Sequence, residues 1–336
     1  MKKKLIIFLI CCIFSAVVIA FTVICVALNI SVDTVVADVD GMKIYAGEVK
    51  LHMNEIKTDV IEYFEQNYSV TAGNDFWDTE FDGVTPAEYL RNEALSASVR
   101  CRLELELGVE YGIVKDASYD AFVDEMKEVN SVNQSKIDNG EPIYGQSEYS
   151  ESTYHMYRMS NLRIELQEVM GQEGEPLYGD EAALKAFYYA NRDQNYRRID
   201  NCIFKILKSD DMQALKAAEK IIADENEPLS KLTDVEITQT ELSNSNYKQL
   251  SKENSAFYDT IYSLSEGETA YFGENTLIWC FSRSFSGYES YSSVESTVIA
   301  EYRQQQYEKY INELVKNSSI NTYSKLDKIP LSKPLA

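Results

Sequence analysis

The first feature of the hydrophobic pattern is a run from Leu5 to Leu28 that carries no charge and is broken only by Ser15 and Thr22. A helix rising ~1.5 Å per residue covers roughly 36 Å over that run, more than the ~30 Å hydrocarbon core of a bilayer. Lys2, Lys3 and Lys4 precede it. The positive-inside rule therefore keeps the N-terminus cytoplasmic and sends the rest of the chain outside. Residues 1–31 read as a basic cytoplasmic start and a single-pass anchor. A cleaved signal peptide has a shorter apolar region ending in small residues, and Val26-Ala27-Leu28-Asn29 is a poor site. A lipoprotein needs a small residue before its modified cysteine. Here Cys11, Cys12 and Cys25 follow Ile10, Cys11 and Ile24. A buried core helix of this length and apolarity is the remaining, weaker reading.

Beyond the anchor the period changes repeatedly. Val35 to Val39 alternates as a strand, Asp40-Gly41 supplies a tight turn, and Met42 to Ile44 returns. Val49, Met53, Ile56, Val60 and Phe64 recur at helical spacing between Gly47 and Asn67. Gly73 to Gly83 reads as an acidic, aromatic loop. Thr85-Pro86-Ala87-Glu88 then opens a helix, with Thr85 as cap, Pro86 in the first turn and Glu88 closing a capping box. Its core stripe is Leu90, Ala94, Ala97, Cys101 and Leu105, and it ends near Gly108 or Gly112. Helices are predicted over Tyr119 to Val129 and Thr153 to Met170, with a polar loop from Asn130 to Ser152 between them. Gly171 to Gly179 breaks the pattern, and Asp180 caps a further helix carrying Leu184, Phe187 and Tyr188.

From Arg198 the pattern mixes strands and helices. Strands are predicted over Arg198 to Leu207, Val235 to Leu242 and Thr276 to Ser282, and helices over Met212 to Ala223 and Ser255 to Leu264. Ser292-Ser293-Val294-Glu295 opens a long terminal helix through Val315. The tail after Ile320 reads as loosely ordered. There is no internal repeat.

Composition narrows the function classes. The net charge is −22. Nucleic-acid phosphates demand Lys and Arg, and anionic lipid demands the same, so neither is an expected partner. About 305 residues follow the anchor, enough for two domains or one two-lobed body. Outside the anchor only Cys101, Cys202 and Cys280 remain, which is not a disulfide framework or a zinc site. One bridge among them stays open. There is no G-x-S-x-G, no phosphate-binding loop and no Cys/His pair with local support. Asp78-x-Glu80-x-Asp82-Gly83 resembles the start of a calcium loop. Its twelfth position is Tyr89 instead of a bidentate Glu, and helix capping at Thr85 competes. His52 and His155 read as boundary histidines without ligand partners. No metal and no cofactor is expected.

The order of these pieces resembles the extracytoplasmic parvulin-type foldases and chaperones, the PrsA/SurA-like group. Val36 to Ile44 resembles that group's opening strand–turn–strand, and Leu95 to Ile113 resembles a helix that follows it. Asp180 to Asn191 is similar to the helix leading into the isomerase module, Leu264 to Glu268 to a late turn, and Ser293 to Leu314 to the final helix. The resemblance implies an α+β, mostly helical fold. A SurA-like N-terminal chaperone lobe at residues 32–195 is completed by a C-terminal helix at 289–320. A small inserted parvulin-like α/β domain occupies 196–288, and 321–336 form a flexible tail. It also implies binding of unfolded, newly exported polypeptides at the outer face of the membrane. The anchor at residues 5–28 would substitute for the lipid that holds many Gram-positive relatives.

The same resemblance exposes a departure. Active parvulins place two facing histidines on neighbouring strands, and the matching positions here are Cys202 and Leu277. The Gly-rich stretch between two middle helices is also missing. The expectation is a membrane-anchored chaperone with an inactive isomerase module. One alternative is a peptidyl-prolyl isomerase with an altered pocket. Another is a non-catalytic scaffold that docks one protein, and a homodimer is left open. The 24 tyrosines suggest a client surface, because tyrosine combines rigid area with a polar tip. The candidates are Tyr154, Tyr157, Tyr188, Tyr189, Tyr302, Tyr307 and Tyr310. The competing reading is that they seal the terminal helix against the N-terminal helices.

Overall fold

The computed structural model describes residues 30–224 and 232–331. The expected anchor lies outside the described residues. Among the described residues no helix is long and apolar enough to cross a membrane. The fold is α+β and mostly helical. The chain divides into two compact units, one built from residues up to Tyr178 together with Arg303 onward, the other from Gly179–Tyr302.

The first unit begins with a hairpin of β1 (Val35–Val39) and β2 (Met42–Tyr45). Asp40 and Gly41 both adopt positive φ, 51° and 83°, which a two-residue turn of this kind requires. α1 (Ala46–Tyr68) follows and buries Val49, Met53, Val60 and Phe64. α2 (Pro86–Glu110) starts as its sequence dictates: Thr85 Oγ1 accepts from the Glu88 amide at 3.2 Å, and Glu88 accepts from the Thr85 amide at 3.0 Å. α3 (Tyr119–Asp138) is capped by Ser118 and α4 (Glu151–Val169) by Ser150. α3 runs a further nine residues past the expected Val129. That extension is polar, and Phe122 is the only buried residue on the helix, so no apolar period marked it.

α2 is the centre of this unit. Cys101, Arg102, Leu103, Glu104 and Leu105 are all buried, so the helix is enclosed on every side at that level. Two of these residues are charged, and each finds partners. Arg102 bonds the Glu48 carboxylate of α1 and the Ala117 carbonyl. Glu104 accepts from Arg163 of α4 at 2.8–3.1 Å, from Arg100 at 3.3 Å and from the Tyr307 hydroxyl at 3.1 Å. Tyr307 and Ile311 belong to the closing helix, and they pack with Met159, Leu162, Leu166 and Met170 in one cluster.

The C-terminal segment corrects the expected flexible tail. β7 (Ile320–Thr322) pairs antiparallel with β1 and completes a sheet of order β2-β1-β7. Leu326 and Ile329 are buried in the cluster of Val36, Ile44, Phe64 and Leu90. Arg91 Nε donates to the Ile329 carbonyl at 3.0 Å. Single apolar residues separated by polar ones have no period, which is why the segment looked unstructured. Residues 332–336 lie outside the described residues.

The second unit holds a four-stranded antiparallel sheet of order β4-β3-β6-β5. Its strands are β3 (Asn201–Lys208), β4 (Glu236–Leu242), β5 (Thr269–Tyr271) and β6 (Thr276–Ser284). One face carries Cys202, Phe204, Ile206, Ile278 and Cys280 beneath α7 (Tyr247–Glu253) and α8 (Ser255–Ser263). The other carries Leu207 and Leu277 against Leu215 and Ala218 of α6 (Met212–Ala223). α5 (Glu181–Asn195) also belongs here: Leu184, Tyr188 and Tyr196 share a core with Val298. Val298 lies in α9 (Tyr291–Asn317), whose first part counts in this unit and whose second part counts in the first. The unit therefore extends beyond the expected 196–288 at both ends, because its core recruits the flanking helical residues.

Two stability outcomes follow. Ile329→Ala should cost about 2–4 kcal/mol, the usual range for emptying a buried aliphatic site, read as a fall in the denaturation midpoint. A freely mobile tail would show no change. Arg163→Met should cost about 1–2 kcal/mol, since the buried Glu104 carboxylate keeps Arg100 and Tyr307 and solvent screens the partly exposed Arg163.

Candidate functional site

The seven candidate tyrosines separate by burial. Tyr307, Tyr154 and Tyr188 are 0%, 2% and 6% exposed and cannot present a client surface. Tyr307 bonds Glu104, and both burial and the charge of Glu104 push its phenol well above the usual range. Tyr188 donates to the Glu289 carbonyl at 2.5 Å and stacks on Tyr196. Tyr154 packs on Phe122. For Tyr307 the sealing role is the one realised. Tyr302 and Tyr310 are half-buried. Tyr157 and Tyr189 are 49% and 59% exposed.

Tyr157 stands in a groove of about 700 Å³ between α3 and α4. Ile113, Val114, Ala121, Val129 and Leu162 supply apolar lining, and Asp116, Asp124, Glu125, Glu128 and Glu165 supply acid, against Lys115 and Arg158. Arg158 is held by Glu125 at 3.0 Å. Gly108 shapes the floor. A Cβ there would lie 2.8 Å from both Leu162 and Val114, so only glycine lets the end of α2 approach so closely. Its carbonyl also accepts from the Ile113 and Val114 amides at 2.8 and 2.9 Å. Val132 and Ile137 on α3, and Met156 and Ile164 on α4, add exposed apolar side chains to this helix pair. Apolar lining with an acidic rim suits contact with another chain. The helical periods gave the two helices, but not the groove, which arises from how they meet.

In the second unit the positions matched to the isomerase histidines do not face each other. Cys202 pairs with Arg283, whereas Leu277 pairs with Leu207. Cys202 lies on the face under α7 and α8, and Leu277 on the face under α6. A cavity of about 360 Å³ beside Cys202 is lined by Asp193, Arg197, Arg198, Asp200, Tyr262 and Arg283, among others. Arg283 donates to the Tyr262 carbonyl at 3.0 Å and lies 3.8 Å from Asp200. Cys202 and Cys280 are buried free thiols rather than a bridge. Burial pushes both thiols up, against the pull of Arg283, so neither is an activated nucleophile. The exposed aromatics of this sheet include Phe281, with Lys205 Nζ 4.2 Å above its ring.

The histidines contradict the expectation that they lack partners. His52 of α1 and His155 of α4 meet with ring centroids 4.9 Å apart. Their Nδ1 atoms share Glu55, at 2.9 and 3.2 Å. At the suspected calcium loop, Asp82 and Gly83 form a tight turn with positive φ, and Tyr68 donates to Asp82 at 3.0 Å. The capping of α2 by Thr85 is realised there instead.

No protein-family model matches the chain. Over 101 residues it is 34% identical to a protein named "Chaperone for lacto-N-biosidase" from Bifidobacterium longum subsp. longum, covering 30% of this chain and 36% of that protein. The chain thus matches about a third of the length of that curated relative. Among solved structures it is similar to two SurA-like chaperone chains of Campylobacter jejuni. They show 16% and 15% identity and TM-scores of 0.35 and 0.24, covering 87% and 84% of this chain and 99% and 96% of theirs. It is also similar to the peptidylprolyl isomerase PrsA of Bacillus cereus, at 13% identity and a TM-score of 0.23, covering 89% of this chain and 97% of that one.

The sheet geometry carries its own outcome. Joining Cys202→His with Leu277→His should not create an acting pair, because the two side chains leave opposite faces. Proline-limited refolding of a test protein should run at the same rate with the double variant as with the parent protein. Acceleration by the double variant alone would show that the two positions face each other.

Proposed function

We propose that this protein is a membrane-tethered chaperone of the PrsA/SurA-like group that holds exported polypeptides in the groove between α3 and α4. The observation that carries the reading is the groove itself: an apolar floor, an exposed Tyr157, and an acidic rim on a helix pair that displays further apolar side chains. The 34% identity to a chaperone over 101 residues supports it. An extended client segment would lay apolar side chains on the floor, and its Lys and Arg would meet the rim. The isomerase-like unit contributes no rotation of X-Pro bonds in this reading. The run Leu5 to Leu28 holds the body at the outer face of the membrane, where unfolded chains emerge.

A second reading has one specific observation behind it. The curated relative is named for a single client enzyme. A chaperone dedicated to one secreted partner fits the same groove and differs only in specificity. Suppression of aggregation of several unrelated proteins supports the general reading, and protection of one partner alone supports the dedicated one. Protection of none sinks both.

Val129→Ser with Tyr157→Ser should weaken client protection about tenfold, equivalent to roughly 1.4 kcal/mol of lost apolar contact, while leaving the melting temperature nearly unchanged. Added salt should weaken retention of a lysine-rich client more than that of a neutral one, since the rim acts by charge.

A further inference from the structure

The chain has only two histidines, and the fold brings both to one buried place. His52 comes from α1, His155 from α4, and Cys101 from α2 between them. One ligand atom from each lies within 4.8 Å of the others. His52 and Cys101 are 5% and 7% exposed. Residues drawn from three helices and spread over about a hundred positions have no local reason to converge.

Glu55 gives the cluster its order. One carboxylate oxygen takes His52 Nδ1 at 2.9 Å, and the other takes His155 Nδ1 at 3.2 Å. An ionised carboxylate only accepts, so it places a proton on Nδ1 of both rings. A ring that donates through Nδ1 presents Nε2 as its acceptor. Histidines that bind a metal are oriented in this way, with the outer N–H on a carboxylate.

We propose that His52, Cys101 and His155 bind one zinc ion, with Glu55 orienting both imidazoles. Two nitrogens and one sulfur suit a borderline-soft, tetrahedral ion and disfavour calcium or magnesium, which demand oxygen. Zinc-bound nitrogen and sulfur atoms stand roughly 3.4–3.6 Å apart in a tetrahedron, so the cluster closes by about 1 Å on binding. The void beside it, about 320 Å³ and lined also by Met156 and Met159, leaves room for water as fourth ligand. Arg100 and Arg163 border that void, but Glu104 and Glu308 already engage them. Metal binding takes Cys101 as the thiolate and so releases the thiol proton, and the ion, the thiolate and the Glu55 carboxylate balance in charge. The site pins α1, α2 and α4 together, a structural role independent of the client groove.

Cobalt(II) is the probe. The full chain is used in a Cys11→Ala, Cys12→Ala, Cys25→Ala background, so that thiols of the N-terminal run do not compete. One equivalent should give thiolate-to-cobalt charge-transfer absorption with intense tetrahedral visible bands, displaced by zinc. Cys101→Ser should remove the charge-transfer band. Glu55→Gln should weaken apparent affinity about 10- to 100-fold. His155→Gln, at a less buried position, should lose the tetrahedral bands, and zinc should no longer raise its melting temperature. No charge-transfer band in the parent protein overturns the site, as does a band that survives Cys101→Ser.

Discussion

Glu104 sits in the middle of α2 with no access to solvent. A carboxylate buried alone costs several kcal/mol, so the chain must bring it partners. It brings Arg163 from α4, Arg100 from the preceding turn of α2, and the Tyr307 hydroxyl from α9. The charge of Glu104 in turn holds the Arg163 guanidinium above its usual range, against the opposing effect of burial. Three helices thus meet at this one carboxylate. Residues 303–317 must therefore return to the first unit after the chain has completed the second. Once they return, β7 is delivered to the free edge of β1, and Leu326 and Ile329 close over the hairpin core.

The groove and the histidine pair hang on the same helices. α4 presents Arg163 to Glu104, Tyr157 to the groove, and His155 to His52. Cys101 and Glu104 stand one turn apart on α2. A polar-pinned interior on one side of α4 thus backs a groove with apolar lining on the other. The acidic excess, net −22, matches the acidic side chains that line the groove.

Much of the frame was legible in the sequence. Asp40-Gly41 fixed the hairpin, Thr85-Pro86-Ala87-Glu88 fixed the start of α2, and Asp180 fixed the start of α5. Each is a local rule, satisfied within four residues. What stayed hidden was non-local. Arg102 and Glu104 look like surface residues until distant partners arrive. Tyr154, Tyr188 and Tyr307 carry polar tips that suit either surface or core, and only the fold assigns them to the core. His52 and His155 have no neighbours in sequence that announce each other. Leu326 and Ile329 lack a period. The two isomerase positions could be matched by order along the chain. The faces they occupy depend on register across β3 and β6, and that register shifts at Ile203 and Phe204.

The most direct test of the chaperone reading is site-specific photocrosslinking. A photoreactive phenylalanine replaces Tyr157 or Val129 in the groove, and Tyr189 or Phe281 in the second unit, with an unfolded secreted client present. The groove account predicts client crosslinks at 157 and 129 and background levels at 189 and 281. Crosslinks at 281 or 189 with none at 157 and 129 would contradict it.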